Sequence, residues 1–155
     1  MKQIEILLAD DNKLLRAEFR KILEREADLK VVGEAKNGLE AVVLVKKLRP
    51  DVVLMDVAMP LLNGLQSTSQ IIKAAPDTKV LILSAHSDEA YVIEAMNSGA
   101  NGYLIKQTSA SNVCAAIRKV HAGGAAFSSS IPKRLHRPSS WTDRVKLHKK
   151  LGSKK

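Results

Sequence analysis

The sequence predicts an open α/β sheet of five parallel strands with helices on both faces. Three observations predict it. Short apolar runs and helix-period segments alternate five times along the chain. Hydrophobic residues make up 45% of the 155 residues but aromatics only 3%, so the core must be built from aliphatic side chains. Polar residues directly follow four of the apolar runs at their carboxyl ends.

The elements follow in order. Apolar runs at 4–9, 29–32, 52–55, 80–83 and 103–105 read as strands. Between the first two, Leu15, Phe19, Ile22 and Leu23 share one helical face. Ala41, Leu44, Val45 and Leu48 share another, and Val113, Ala116, Ile117 and Val120 repeat the spacing near the end. A weaker helix at 65–74 has its apolar stripe interrupted by "QSTSQ". Asp88 starts a helix carrying Val92, Ile93 and Met96, which Ser98-Gly99 ends. Alternation with short loops implies right-handed crossovers between parallel strands. The unit ends near residue 122. Residues 123–140, rich in Gly, Ala, Ser and Pro, read as a linker. Residues 141–155 read as a basic tail with a marginal short helix, in which Trp141, Val145 and His148 form a narrow stripe and Ser140 with Asp143 fits a capping box.

Bulk properties bound the function. One cysteine, Cys114, excludes a disulfide framework and any multi-cysteine metal site, and suits a reducing cytosol. The apolar stretch at the N-terminus is too short for a signal peptide, and no run reaches membrane-spanning length. A cytoplasmic protein without membrane insertion is expected. The net charge of +9 is uneven: residues 1–127 carry 16 Lys and Arg against 15 Asp and Glu, whereas residues 128–155 carry 9 against 1. Such a tail meets an anionic partner, nucleic acid or a membrane surface, or is merely a solubilising end.

In a doubly wound sheet of flavodoxin-like order 2-1-3-4-5, ligands bind at the carboxyl edge where strand order reverses. Asp10 and Asp11 follow the first strand, Asp56 the third, Ser84 the fourth and Lys106 the fifth. Strands one and three are neighbours in that order, so the three acids converge. Carboxylates that close repel one another, so one protonates or a cation enters. A hard divalent ion with oxygen ligands fits, and Mg²⁺ suits a site of few carboxylates. An acid nucleophile, Mg²⁺, a hydroxyl and an ammonium make a phosphoryl-transfer site in which Asp forms an aspartyl phosphate. Taken singly, each residue has a plainer role: Asp10 or Asp11 as a helix N-cap, Ser84 as a loop hydroxyl, Lys106 as a solvated lysine, Tyr103 as core.

"LLADD", "DVVLMDVAMPLLNG", "VLILSAH" and "GANGYLIK", in this order and spacing, resemble the receiver domain of two-component response regulators over about residues 3–122. The resemblance implies that Asp56 is the phosphoacceptor. It implies that Asp10, Asp11, Asp56 and the backbone carbonyl of Ala58 hold Mg²⁺, and that Ser84 and Lys106 contact the phosphoryl group. Ser84 and Tyr103 would form a switch: Ser84 moves toward the new oxygens and Tyr103 turns inward. A population shift of this kind takes about 5 kcal/mol of differential interaction. His86 reads as an exposed loop residue that tunes access of water. The expected partners are a sensor histidine kinase and a second copy, through the face of the fourth and fifth helices.

"MPLLNGLQST", "LILSAHSDEAYVIEAMNSGANGYLIKQTS" and "AIRKVHAGG" are most similar to receivers of the LuxR-type (NarL/FixJ-like) subfamily, which precede a helix-turn-helix. Here 28 residues follow Phe127, too few for that domain. A stand-alone receiver and a truncated or frame-altered regulator both fit. In the alternative function, a transcriptional regulator or its remnant, the basic tail contacts nucleic acid with little sequence preference and steep salt dependence. A phosphatase with an Asp nucleophile would want a second acid two residues beyond Asp56, where Ala58 stands.

Overall fold

The computed structural model describes residues 2–136. The elements run β1 (Ile4–Ala9), α1 (Lys13–Glu24), β2 (Leu29–Ala35), α2 (Gly38–Leu48), β3 (Val52–Asp56), α3 (Gly64–Ala74), β4 (Lys79–Ser84), α4 (Glu89–Asn97), β5 (Gly102–Ile105), α5 (Ala110–His121) and β6 (Ala126–Phe127), then a 3₁₀ turn, Lys133–Leu135. All strand pairings are parallel, in the order β2-β1-β3-β4-β5-β6. The expected order 2-1-3-4-5 is therefore present, with one strand more than the five the sequence suggests.

Period-two alternation sends β1 to two cores. Leu7 and Ala9 join Val53, Met55, Val80, Ile82 and Tyr103 under α2, α3 and α4. Ile6 and Leu8 join Val52, Leu54, Leu81, Leu83 and Leu104 under α1 and α5. Both faces of the central strands are thus buried, which is why they read as unbroken apolar runs. Neither Asp10 nor Asp11 caps α1; Asn12 does, its side chain accepting from Leu14 N at 3.0 Å and Leu15 N at 3.2 Å. α3, weak in periodicity, starts on a capping box between Asn63 and Gln66, and its buried Ser67 and Thr68 donate to the carbonyls of Gly38 and Gly64.

The linker reading of 123–140 needs correction over its first half. Ala126 and Phe127 pair with Gly102 and Tyr103, and Ser128 Oγ accepts from Ile105 N at 2.8 Å. Ile131 is 2% exposed, Phe127 stacks on His136, and Arg134 pairs with Glu89 on α4. An open β5 edge presents unpaired backbone groups, and this segment satisfies them despite its small residues. Gly102 permits the approach, since a Cβ there would lie 2.4 Å from the Ala126 carbonyl oxygen. Residues 137–155, with the expected tail helix, lie outside the described residues.

Candidate functional site

The carboxyl edge is built strand by strand. β1 ends at Ala9, and Asp10 follows with its N–H bonded to Ala35 O at 3.0 Å on β2. Asp56 is the last residue of β3, paired between β1 and β4, and is 4% exposed; Asp10 is 7% exposed and Asp11 open to solvent. One carboxylate oxygen from each of the three lies within 4.8 Å of the others. Lys106, just past β5, brings Nζ to 3.1 Å from Asp56 Oδ1 and 3.6 Å from Asp10 Oδ2. Ser84 ends β4 and is 1% exposed; its hydroxyl accepts from His86 N at 3.0 Å, and its carbonyl accepts from Lys106 N.

The electrostatics follow from burial and sign. Burial, and then repulsion from Asp10, pushes the Asp56 carboxyl above its ordinary range, against the pull of Lys106 and of the Ala58 backbone N–H. Burial works against the Lys106 ammonium, but Asp56 and Asp10 outweigh it and raise the pKa. One lysine therefore leaves three carboxylates undercompensated. Oxygen-only donors this close fit a hard divalent cation, and among the described residues no cysteine or histidine joins them.

Tyr103 is wholly buried, and its hydroxyl donates to His86 O at 2.7 Å. Burial raises its pKa, against a hydrogen bond with Ser84. The aromatic thus already lies inward, where the sequence reading has it turning only after phosphorylation. His86 is exposed as expected, but its ring stacks on Tyr91 at 4.4 Å, so its backbone is what links Ser84 to Tyr103. Ala58 is exposed, two residues beyond Asp56. Sequence reasoning missed Arg16, whose Nη1 donates to Asp10 O at 2.5 Å while Nε pairs with Glu34 at 3.0 Å. The available signal was a basic residue set against the apolar face of Leu15 and Phe19.

The sequence model of the response regulator receiver domain matches residues 6–118. The chain belongs to that family. It is 43% identical over 123 residues to the transcriptional regulatory protein DegU of Brevibacillus brevis, covering 79% of this chain and 52% of DegU. A LuxR-family response regulator from Aurantimonas sp. SI85-9A1 superposes with a TM-score of 0.82 at 30% identity, covering 86% of this chain and 96% of that one. The receiver domain of the putative response regulator NarL from Mycobacterium tuberculosis gives 0.76 at 31% identity, covering 79% and 99%. The chain spans about half the length of the curated relatives it matches, from 52% to 61% of them. As a receiver domain it is a phosphoacceptor module of two-component signalling rather than a metabolic enzyme, and regulators of this family interact with sensor kinases. Receiver domains generally bind Mg²⁺ at an acidic pocket, and Asp10, Asp11 and Asp56 form such a cluster. Among the described residues no helix is long and apolar enough to cross a membrane.

Proposed function

We propose that Asp56 is the phosphoacceptor, that Asp10, Asp11, Asp56 and the Ala58 carbonyl hold Mg²⁺, and that Ser84 and Lys106 bind the transferred group. The observation that carries this reading is a buried carboxylate at a strand end with Lys106 at 3.1 Å and two further carboxylates beside it. An Asp56 oxygen attacks phosphorus; the bond from phosphorus to the donor breaks, and the donor keeps the electron pair. Bound Mg²⁺ would neutralise the carboxylates and the charge on the equatorial oxygens. Lys106 is placed to swing from Asp56 Oδ1 to a phosphoryl oxygen, because Asp10 holds it near the site meanwhile. The Ser84 hydroxyl lies on the neighbouring strand end and accepts from the His86 backbone N–H, a bond it can give up.

The switch runs through Ser84, His86 and Tyr103. A Ser84 that turns to the phosphoryl group leaves His86 N, and the carbonyl that anchors Tyr103 belongs to the same residue. α4, β5 and α5 are the output face in this reading. A homodimer there would use the outward residues of α4 and α5, because β6 occupies the β5 edge. The donor is a sensor histidine kinase or a small phosphodonor, self-catalysed dephosphorylation returns the domain to its resting form, and the setting is the cytoplasm. Residues 128–155, with 9 basic residues against 1 acidic, support a second reading in which the tail touches nucleic acid.

Incubation with acetyl phosphate, with and without Mg²⁺, followed by intact-mass measurement tests the assignment. The expected result is one added phosphoryl group, dependent on Mg²⁺ and absent in Asp56→Asn. Labelling that survives Asp56→Asn would place the acceptor elsewhere.

A further inference from the structure

We propose that Arg16 is a positioning residue for the acid pocket: with Glu34 it fixes the Asp10 backbone and so sets where the Asp10 carboxylate points. The proposal rests on the Mg²⁺ site of the preceding reading and adds to it a residue that touches neither ion nor phosphoryl group.

Four restraints converge on Asp10. Its N–H bonds to Ala35 O at 3.0 Å, and its carbonyl accepts from Arg16 Nη1 at 2.5 Å. Its Oδ1 accepts from Asn12 N at 2.8 Å, and its Oδ2 faces Lys106 at 3.6 Å. The peptide on each side of the residue is therefore held. Of the side-chain donors involved, Arg16 is the one that reaches the backbone. It sits on the second turn of α1, its side chain is 13% exposed, and it lines the same small cavity as Asp10 and Asp56.

The chemistry demands a guanidinium. One arm serves a carbonyl while another serves a carboxylate, in a fixed plane; an ammonium is a point charge that cannot hold both in register. The carboxylate is Glu34 Oε1, and Glu34 Oε2 is held in turn by Arg20 at 2.9 Å. Burial disfavours the Glu34 charge, but the two arginines outweigh it and lower its pKa. The Arg16 charge is thus paired with a carboxylate that is not one of the three acids. Arg16 can grip Asp10 without offering the cation site a free positive charge. A partly buried ion pair is weak evidence of stabilisation, since desolvation offsets much of the attraction. Orienting a ligand residue gives the pair a purpose, as outer partners of metal ligands have elsewhere.

The two roles open to Arg16 predict opposite signs. A cation acting only through its charge repels Mg²⁺, so its removal tightens binding. A positioning residue loosens binding when it is lost. The test is the Mg²⁺ dissociation constant of the full chain by titration calorimetry, for Arg16→Gln and for Arg16→Lys, which keeps the charge. Both are expected to weaken binding about tenfold. Glu34→Gln keeps an acceptor for Nε and is expected to do so by a smaller factor. Saturating Mg²⁺ is expected to restore the rate of Asp56 labelling by acetyl phosphate in Arg16→Lys, because affinity is what was lost. Thermal melting in the absence of Mg²⁺ identifies a variant that has not folded; Glu34→Gln then carries the test. Tighter binding in Arg16→Gln, native binding in Arg16→Lys, or a labelling defect that saturating Mg²⁺ leaves in place would each overturn the proposal. If the native chain binds Mg²⁺ and is labelled on Asp56 while all three variants bind normally, this proposal fails and the site reading stands. If the native chain binds no Mg²⁺, both fail.

Discussion

Two charge clusters lie at opposite edges of the sheet, and they are built on opposite terms. At the carboxyl edge, Asp10, Asp11 and Asp56 face Lys106, with Asp56 and Asp10 buried. At the amino edge, Arg118 on α5 makes a bidentate pair with Asp28, at 2.8 and 2.9 Å, and reaches Glu26 at 2.7 Å, all of them partly exposed. The amino-edge cluster is satisfied. The Arg118 hydrogen bonds hold the Asp28 carboxyl below its ordinary range, and Asp28 and Glu26 raise the Arg118 pKa further. The carboxyl-edge cluster is strained, with the Asp56 carboxyl held above its ordinary range by burial and by Asp10. A cluster that only ties α5 to the loop before β2 can settle into paired geometry. A cluster proposed to accept a cation and a phosphoryl group keeps its charges uncompensated until they arrive.

The comparison can be broken most sharply at Asp56. Asp56→Asn is expected to abolish phosphoryl gain by intact mass. It is also expected to stabilise the metal-free fold at neutral pH, because it removes the ionised carboxylate that burial penalises. The pH dependence carries the sign. A carboxyl with a raised folded pKa penalises the fold fully above that pKa, and the penalty is gone below the unfolded value near 3.8. Urea denaturation in chelator should therefore show the advantage of Asp56→Asn largest at pH 7 and shrinking as pH falls toward 3.8. A constant advantage would remove the electrostatic reading of the pocket.

Gly64→Ala attacks the same edge through the backbone. A Cβ there would lie 2.1 Å from the Asp56 carbonyl oxygen, so α3 or the end of β3 must move. A loss of about 3 kcal/mol is expected from such overpacking, read by urea denaturation, together with slower labelling. Lys106→Ala should leave labelling in place but weaken the response to it, measured as the phosphorylation-dependent change in amide exchange over α4 and β5. A normal response would remove Lys106 from its assigned role.

The smallest effect belongs to the amino edge. Arg118→Ala should lower the urea midpoint slightly, and by less at high salt, as an exposed pair is screened. Asp28 has a lowered folded pKa, so what it contributes is present above its unfolded value of 3.8 and is lost only as pH falls through the folded pKa. Asp56 and Asp28 thus titrate on opposite sides of the ordinary carboxylate value. A stability loss for Arg118→Ala that matched Gly64→Ala would contradict the division between them.

The sequence shows the central strands because burial on both faces leaves no polar position in "VVLM" or "VLIL". It shows Asp10, Asp11, Asp56, Ser84 and Lys106 as candidates because each breaks an apolar run at its carboxyl end. The chain itself thus determined the α/β alternation and the residues offered to the site. Only the tertiary structure decided what holds them. Asn12 caps α1 although two acids stand closer to β1, because capping depends on where the helical backbone begins. Arg16 grips Asp10 because α1 packs back over β1 beside β2, where Glu34 waits. Residues 126–128 close the β5 edge because unpaired backbone groups accept any strand that reaches them, and composition does not record which segment will. Local periodicity reports which face of an element is buried; a partner distant along the chain is set only when the packed elements bring it within hydrogen-bonding reach.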